Sequence, residues 1–173
     1  MLAFIDFETN GFKGSSVLSV AVIREDGETF NRYYYPTEDF NPDAIRVNGL
    51  TKEKITELRA GANYAKHFID DLDFVKFMVP VDRLVAHNIA FDYSFLPNTV
   101  KKHINGVFCT MKANAKYFEN GRWPKLAACA KLYGSEIIKE ALHGASYDVQ
   151  LCKEIYDNMK PEDIEFHFEW LTK

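Results

Sequence analysis

The sequence predicts a mixed α/β fold in which a β-sheet is flanked by helices. Three β-rich segments come first, and Asp26-Gly27, between the second and the third, has the composition of a tight hairpin turn. Farther along, short apolar runs alternate with segments of helical periodicity. A meander followed by alternating strands and helices indicates a sheet with both antiparallel and parallel pairs.

The first three strands are predicted over residues 2–8, 17–25 and 28–36, which are rich in β-branched and aromatic residues. A helix is expected to begin after Thr51, whose hydroxyl suits an N-cap. Residues 63–78 then carry apolar side chains at helical spacing. These side chains are Tyr64, Phe68, Leu72, Val75 and Met78.

The second half of the chain alternates between strands and helices. Residues 83–87 and 106–110 are predicted as short buried strands. Between them, residues 90–96 form a predicted helix that ends before Pro97 and has two phenylalanines four residues apart. Further helices are predicted over 111–118, over 125–133 with Gly134 as a stop, and after His143.

Length and composition fit one folded domain over residues 1–173. The chain is 47% apolar and 27% charged, and a domain of this size buries about 70% of the surface that its unfolded form exposes. Residues 161–173 are expected to form a C-terminal tail or capping helix, because Pro161 suits a helix start. There Ile164, Phe168 and Trp170 either cap the core or bind a partner.

The sequence predicts a cytoplasmic protein that does not enter a membrane. Its three cysteines include no CxxC pair, so neither a disulfide framework nor a zinc knuckle is indicated. Its apolar runs are far shorter than the roughly 20 residues of a membrane span, and the basic region of a signal peptide is missing.

Charge is unevenly distributed along the chain. The net charge of −4 argues against tight, sequence-independent binding along duplex nucleic acid. Between Tyr93 and Ser135, however, seven basic residues oppose one acidic residue, so this segment carries +6 and the remainder −10. The segment is either a solvated helix surface or a contact surface for an anionic partner.

Four carboxylates, Asp6, Glu8, Asp92 and Asp148, interrupt apolar stretches. On a strand, Asp6 and Glu8 share one face at a separation of about 7 Å. Buried like charges are costly unless they are protonated, paired or bound to a cation, and carboxylate oxygens suit Mg²⁺ or Mn²⁺. Each carboxylate alone has an ordinary alternative role in a turn or a first helical turn. Together, the four predict a divalent-metal site.

His143 precedes Asp148 by five residues, which on one helix would place the two about 140° apart. They converge only if His143 lies in the loop before the helix and Asp148 in its first turns, a join that Gly144 eases. In that position His143 is a candidate general base that takes a proton from water. Its alternative is an ordinary histidine of a surface loop.

Three segments, FIDFETNG, HNIAFDYSFL and HGASYDVQLCKEIY, occur in this order. In order and separation they resemble the three motifs of the DnaQ-like 3′–5′ exonucleases, the proofreading-subunit type with the DEDDh signature. The resemblance extends over nearly the whole chain. It implies a ribonuclease H-like fold, with a five-stranded mixed sheet whose second strand is antiparallel and helices on both faces.

The resemblance also implies a site and a reaction. Position by position, it makes Asp6, Glu8, Asp92 and Asp148 the ligands of two Mg²⁺ or Mn²⁺ ions, with Asp6 between them, and His143 the general base. The implied reaction is hydrolysis of phosphodiester bonds at nucleic-acid 3′ ends, which releases nucleoside 5′-monophosphates.

Residues expected around the 3′-terminal nucleotide come from two motifs. The backbone of the loop after the first strand can approach the nucleotide closely, and Phe12 offers its base an aromatic face. Two residues of the second motif match family positions near this nucleotide. The full predicted set is Thr9, Asn10, Gly11, Phe12, Asn88 and Phe91.

The substrate is expected to be a single-stranded or frayed 3′ end, with DNA favoured over RNA, and the partner a polymerase or another replication or repair protein. Tyr117, Phe118 and Trp123 of the basic segment either receive the incoming strand or belong to a helical core stripe. Asn48 stands where many relatives have histidine, so substrate contacts there are expected to differ.

Two other functions are compatible with parts of the pattern. One is a catalytically inactive exonuclease fold that binds nucleic acid or a polymerase, which a chain lacking a carboxylate would favour. The other is a glycosidase with Asp6 and Glu8 as its two carboxylates, which leaves Asp92, His143 and Asp148 without a role.

Overall fold

The structure is a computed structural model that describes residues 1–171, apart from the side chain of Asn120, and it contains a six-stranded sheet. The strands are β1 (Leu2–Thr9), β2 (Val17–Arg24), β3 (Thr29–Tyr33), β4 (Arg83–Ala86), β5 (Gly106–Cys109) and β6 (Glu169–Trp170). Their order is β3-β2-β1-β4-β5-β6. Strand β2 is antiparallel to β1, whereas β4 and β5 run parallel to it. The predicted mixed sheet with an antiparallel second strand is confirmed.

Nine α-helices surround the sheet in the described part of the chain. They are α1 (Pro42–Asn48), α2 (Lys52–Arg59), α3 (Leu72–Met78), α4 (Ile89–Phe95), α5 (Asn98–Lys101), α6 (Thr110–Asn114), α7 (Leu126–Leu132), α8 (Ala145–Asn158) and α9 (Pro161–His167). None of the helices within residues 1–171 has the length and apolar character needed to cross a membrane.

Strand β1 separates two buried layers, because its side chains alternate between the two faces of the sheet. Ile5 and Phe7 pack into the layer that contains α3 and α4. Leu2 and Phe4 pack into the opposite layer, which contains α7 and α8. Asp6 and Glu8 lie on the same face of β1 as Leu2 and Phe4. Both carboxylates are therefore on the face that α8 covers.

The described sheet has six strands rather than the predicted five. The additional strand is a short strand at the edge of the sheet. Strand β6 has two residues and pairs antiparallel with Gly106 and Val107 of β5. Phe168 packs directly over Gly106, where any side chain would collide with its ring. A two-residue strand has no periodicity to detect, and this one depends on a contact between residues far apart in sequence.

The C-terminal segment 161–173 forms α9 and β6 as far as the structure describes it. Ile164 and Phe168 pack against the layer of α7 and α8, whereas Trp170 is 69% exposed. The contacts expected for a cap are therefore made by Ile164 and Phe168. Thr172 and Lys173 lie outside the described residues.

The helix predicted over 63–78 is shorter than expected. A single 3₁₀ turn spans Phe68–Asp70, and α3 begins only at Leu72. Asp71 sets this start, because its side chain accepts hydrogen bonds from the amides of Asp73 (3.0 Å) and Phe74 (3.2 Å). The buried face of α3 consequently carries Phe74 and Met78 rather than Leu72.

Asp71 is also the centre of a buried polar network. Its carboxylate accepts two hydrogen bonds from Nη1 of Arg32 at 2.9 and 2.8 Å and one from the Tyr34 hydroxyl at 2.7 Å. Only 4% of Asp71 is exposed. Removing the carboxylate would leave the buried Tyr34 hydroxyl without its acceptor and Arg32 with only its 3.3 Å contacts to Asp73.

We expect Asp71→Ala to lower the free energy of unfolding by about 3–5 kcal/mol, because it breaks a buried ion pair and a helix cap together. Urea unfolding measures this change. Asp73→Ala is the matched control, since the Asp73 side chain is 55% exposed and contacts the same arginine; its effect should stay below about 1 kcal/mol. Equal effects of the two substitutions would contradict this assignment.

Candidate active site

The four predicted carboxylates and His143 converge at the C-terminal end of β1. Asp6 and Glu8 come from this strand, Asp92 from the first turn of α4, and Asp148 from the first turn of α8. Ligand atoms of Glu8, His143 and Asp148 all lie within 4.8 Å of one another. Repulsion from Asp92, Glu8 and Asp148 acts on Asp6, which places it inside the same cluster.

A backbone contact positions Asp92 relative to β1. The amide of Phe7, the residue between Asp6 and Glu8, donates to Oδ1 of Asp92 at 3.1 Å. Asp92 is buried, with 4% exposed. The third carboxylate is thereby held beside the first two, although it lies more than eighty residues away in the sequence.

Asp148 and His143 are joined in the way the five-residue spacing requires. His143 lies in the loop before α8, in a left-handed conformation with φ of 63°, and its backbone amide donates to Oδ2 of Asp148 at 3.2 Å. Because this bond uses the backbone, the exposed imidazole stays available for chemistry. Oδ1 of Asp148 is buried and has no hydrogen-bond partner among the described residues. A buried carboxylate oxygen without a donor is suited to a cation.

Burial is the main cause of raised pKa values throughout the cluster. Burial, and after it repulsion by the other carboxylates, raises the pKa of Asp6 well above its ordinary value. The same two causes raise the pKa of Glu8 to about 8. Burial raises the pKa of Asp92 to about 7 and that of Asp148 to about 6. The four carboxylates therefore ionise fully near neutral pH only when positive charge is brought in.

Without metal, we expect stability to fall as the pH rises from about 4 to about 8. Unfolded carboxylates have pKa values near 4, so in this window the folded state binds more protons than the unfolded state, and raising the pH favours unfolding. Thermal unfolding in a chelator, from pH 5 to pH 8.5, measures the effect. Glu8→Gln removes one of these groups and should lose less stability between pH 6 and 8.5. Identical pH dependence of the two proteins would contradict the expectation.

An apolar cavity of about 290 Å³ adjoins the carboxylates. It is lined by Glu8, Thr9, Gly11, Phe12, Val47 and Phe91, among others. Phe12 is 90% exposed at its rim. Four of the six predicted nucleotide-contacting residues thus meet at one cavity beside the carboxylate cluster.

Two predicted contact residues are placed elsewhere. The amide nitrogen of Asn10 donates to Oε1 of Glu38 (3.0 Å) and to the carbonyl of Asp39 (2.8 Å), and its oxygen accepts from the amide of Asn41 (2.9 Å). Asn10 therefore anchors the loop rather than facing the cavity. Asn88 is exposed at the start of α4 and does not line the cavity.

Sequence reasoning missed helix α1, which supplies Ala44, Val47 and Asn48 to the cavity wall. The signals were present, because Asn41 caps this helix, Pro42 occupies its first turn and Gly49 ends it with φ of 69°. The helix has only seven residues, none of them buried, so it shows no apolar periodicity.

Asn48 connects this helix to the carboxylate cluster. Its amide nitrogen donates to the carbonyl of Thr9 at 3.1 Å, and its oxygen accepts from the amide of Leu50 at 3.0 Å. A hydrogen bond from Asn48 also lowers the pKa of Glu8, against the larger effect of burial. Asn48 thus favours the ionised form of Glu8, the form that a metal ligand requires.

We expect Asn48→Ala to raise the Mn²⁺ concentration needed for half-saturation by about 10- to 100-fold, the usual effect of losing a hydrogen bond to a metal ligand. Mn²⁺ titration followed by calorimetry measures it. Asn98→Ala, at a residue that lines neither of the two cavities next to Glu8, is the control and should leave binding unchanged. Unchanged Mn²⁺ affinity in Asn48→Ala would refute this role.

Comparison with known proteins shows the family of the chain. A family model described as exonuclease, RNase_T, matches residues 3–156. The chain belongs to this exonuclease family. The match contains β1, α4 and the first turns of α8, so every residue of the cluster lies within the family domain.

Relatives of this exonuclease include the DNA polymerase III subunit epsilon of Pasteurella multocida, 26% identical over 90% of this chain and 66% of the relative. The Escherichia coli subunit is 27% identical over 88% of this chain and 68% of the relative. The chain thus spans about two thirds of the length of these relatives. The predicted resemblance to DnaQ-like exonucleases is confirmed.

Solved structures confirm the ribonuclease H-like fold. Exonuclease X in complex with 5′ overhanging duplex DNA superposes with a TM-score of 0.68 at 20% identity, covering 95% of this chain and 97% of that one. A 3′-exonuclease that recognises the 3′ end of a histone mRNA stem-loop superposes with a TM-score of 0.65 at 15% identity, covering 99% and 90%.

Proposed function

We propose that this exonuclease acts in the 3′–5′ direction, depends on divalent metal ions, and releases nucleoside 5′-monophosphates from nucleic-acid 3′ ends. One observation carries the proposal: four carboxylates and a histidine meet beside a cavity large enough for a nucleobase. The membership of the exonuclease family supports it.

The donor set fits two Mg²⁺ or Mn²⁺ ions. Asp6, Glu8, Asp92 and Asp148 provide only hard oxygen ligands, and the buried, unpartnered Oδ1 of Asp148 has no other use in the structure. When bound, such ions acidify an attacking water and neutralise negative charge on the phosphate and on the leaving 3′ oxygen.

The chain's own residues orient the reaction. The imidazole of His143 takes the proton from the attacking water, and imidazole is the side chain best suited to do so near neutral pH. The bond from its backbone amide to Asp148 fixes the distance between the base and a metal ligand. The backbone of the Thr9–Gly11 loop and the faces of Phe12 and Phe91 hold the 3′-terminal nucleotide.

Stacking on aromatic faces accepts any base, so the enzyme removes nucleotides without sequence preference. DNA is the favoured substrate, because the polymerase III epsilon subunits are the relatives that match by sequence. The same relatives favour a polymerase, or another replication or repair protein, as the partner.

Matched single-stranded DNA and RNA oligomers, incubated with Mg²⁺, Mn²⁺ or a chelator, test this function. We expect metal-dependent release of mononucleotides, faster from DNA, and none from the chelated samples or from Asp6→Ala. Faster release from RNA would overturn the substrate assignment. Intact oligomers under both metals would overturn the proposed activity.

A further inference from the structure

The segment between β5 and α7 lies at the same edge of the sheet as the catalytic cluster. Strands β1, β4 and β5 are parallel, so their C-terminal ends share one edge. His87 directly follows β4, one residue before Asn88 at the start of α4. The two helix-bearing loops that leave β4 and β5 therefore begin side by side.

His87 holds the segment between β5 and α7 at this edge through hydrogen bonds at both ring nitrogens. Nδ1 lies 2.8 Å from Oγ1 of Thr110, and Nε2 lies 2.9 Å from the carbonyl of Pro124. Burial lowers the pKa of His87 to about 4, so the ring is neutral near pH 7. A carbonyl can only accept, so Nε2 carries the hydrogen and Nδ1 accepts from the threonine hydroxyl.

Beside Pro124 the surface is basic and aromatic. Arg122, Trp123 and Lys125 line an open groove of about 460 Å³, together with the single acidic residue Glu119. Trp123 is 65% exposed. Neither Arg122 nor Lys125 forms an ion pair with any described residue of the chain.

We propose that this groove binds the single strand upstream of the 3′-terminal nucleotide, with phosphates at Arg122 and Lys125 and a base stacked on Trp123. The inference rests on the proposed function, which places the terminal nucleotide beside Phe12. The strand then crosses the catalytic edge from Trp123 to Phe12.

The two cations and the exposed indole ring of the groove favour a single strand as its ligand. Two unpaired cations attract phosphates, and one exposed indole ring offers a stacking platform for any base. The rest of the chain is strongly acidic, so this groove is an exception to the charge of the molecule. A single strand also has unstacked bases for Trp123, which a duplex does not present.

Tryptophan fluorescence tests the contact directly, because the chain contains only two tryptophans. In Trp170→Phe, Trp123 is the only one left, and adding Asp6→Asn keeps the oligomer intact. We expect a single-stranded 12-mer to quench this emission and a nucleoside 5′-monophosphate to leave it unchanged. Trp123→Phe, which retains Trp170, is the control. A 12-mer that binds by anisotropy without quenching Trp123 would overturn the proposal.

Kinetics give a second test. Trp123→Ala should raise KM for the 12-mer by about 5- to 100-fold and leave KM for a dinucleotide and kcat unchanged. Log affinity falls as log salt rises, and Arg122→Ala with Lys125→Ala should make this negative slope shallower by about 1.4. Lys131→Ala, an exposed lysine of α7 outside the groove, is the matched control and should change neither KM nor kcat.

The two possible failures are distinguishable. If no oligomer is hydrolysed by the unaltered chain, the proposed function fails. If oligomers are hydrolysed but Trp123→Ala leaves KM unchanged for the 12-mer as well as for the dinucleotide, only the proposed binding of the upstream strand in this groove is wrong. A protein partner on this groove would give that second result.

Discussion

We expect Asp6→Asn to remove nearly all hydrolysis and at the same time to stabilise the metal-free protein. Burial, and after it repulsion from Asp92, Glu8 and Asp148, raises the pKa of Asp6 well above its ordinary value. Asparagine keeps the shape and removes the charge. We expect the unfolding free energy in a chelator at pH 8 to rise by about 1–3 kcal/mol.

In the proposed mechanism the same substitution removes a metal ligand, and we expect the loss of several kcal/mol of transition-state stabilisation to lower kcat by at least about 10³-fold. Thermal unfolding with and without Mg²⁺, together with nucleotide release, measures both effects. Asp70→Asn, at an exposed aspartate, is the control and should change neither. A variant that stays active, or that is less stable than the unaltered chain without metal, would disprove the assignment of Asp6.

We expect His143→Asn to lower kcat by about 10²- to 10⁴-fold, because general base is the role proposed for His143 and this is the usual contribution of such a base. Asparagine tolerates the left-handed backbone of this position and retains the amide that holds Asp148. Metal affinity should therefore stay unchanged while the chemical step slows. Single-turnover kinetics and Mn²⁺ titration separate the two quantities.

Because the imidazole is exposed, His143→Ala leaves a space open to solvent, and added imidazole should restore part of its activity. Asp6→Ala is the control for this rescue and should not respond. A large loss of Mn²⁺ affinity in His143→Asn would show instead that this histidine is a metal ligand, which its distance from Glu8 and Asp148 also permits.

Much of the site was predictable because its residues interrupt local patterns. Asp6 and Glu8 break an apolar strand, and the alternation of strand side chains places both on one face. The five-residue separation of His143 and Asp148 required a loop and a first helical turn, and the structure has that join.

Other parts depend on contacts between distant residues, which leave no local pattern. The bond from the Phe7 amide to Asp92 and the bond from His87 to Pro124 exist only once the sheet has formed. Strand β6 likewise requires Phe168 to reach Gly106. Asn10 was expected near the substrate because of its loop, but its hydrogen-bonding groups are used by Glu38, Asp39 and Asn41.

The start of α3 shows a tertiary contact overriding periodicity. Apolar spacing favoured a helix from Tyr64 onward, yet Asp71 ends the preceding turn and caps the helix because Arg32 and Tyr34 hold its carboxylate. Local sequence does not reveal these two partners, since they lie on and beside a strand almost forty residues earlier.

The polarity of hydrolysis tests the central claim most directly. One single-stranded oligomer is labelled at its 5′ end and a second copy at its 3′-terminal nucleotide, and both are incubated with Mg²⁺. We predict a ladder of gradually shortened products from the first and immediate release of labelled 5′-mononucleotide from the second. Immediate release of the 5′ label, or internal cleavage into long fragments, would contradict a site built to hold the 3′ end.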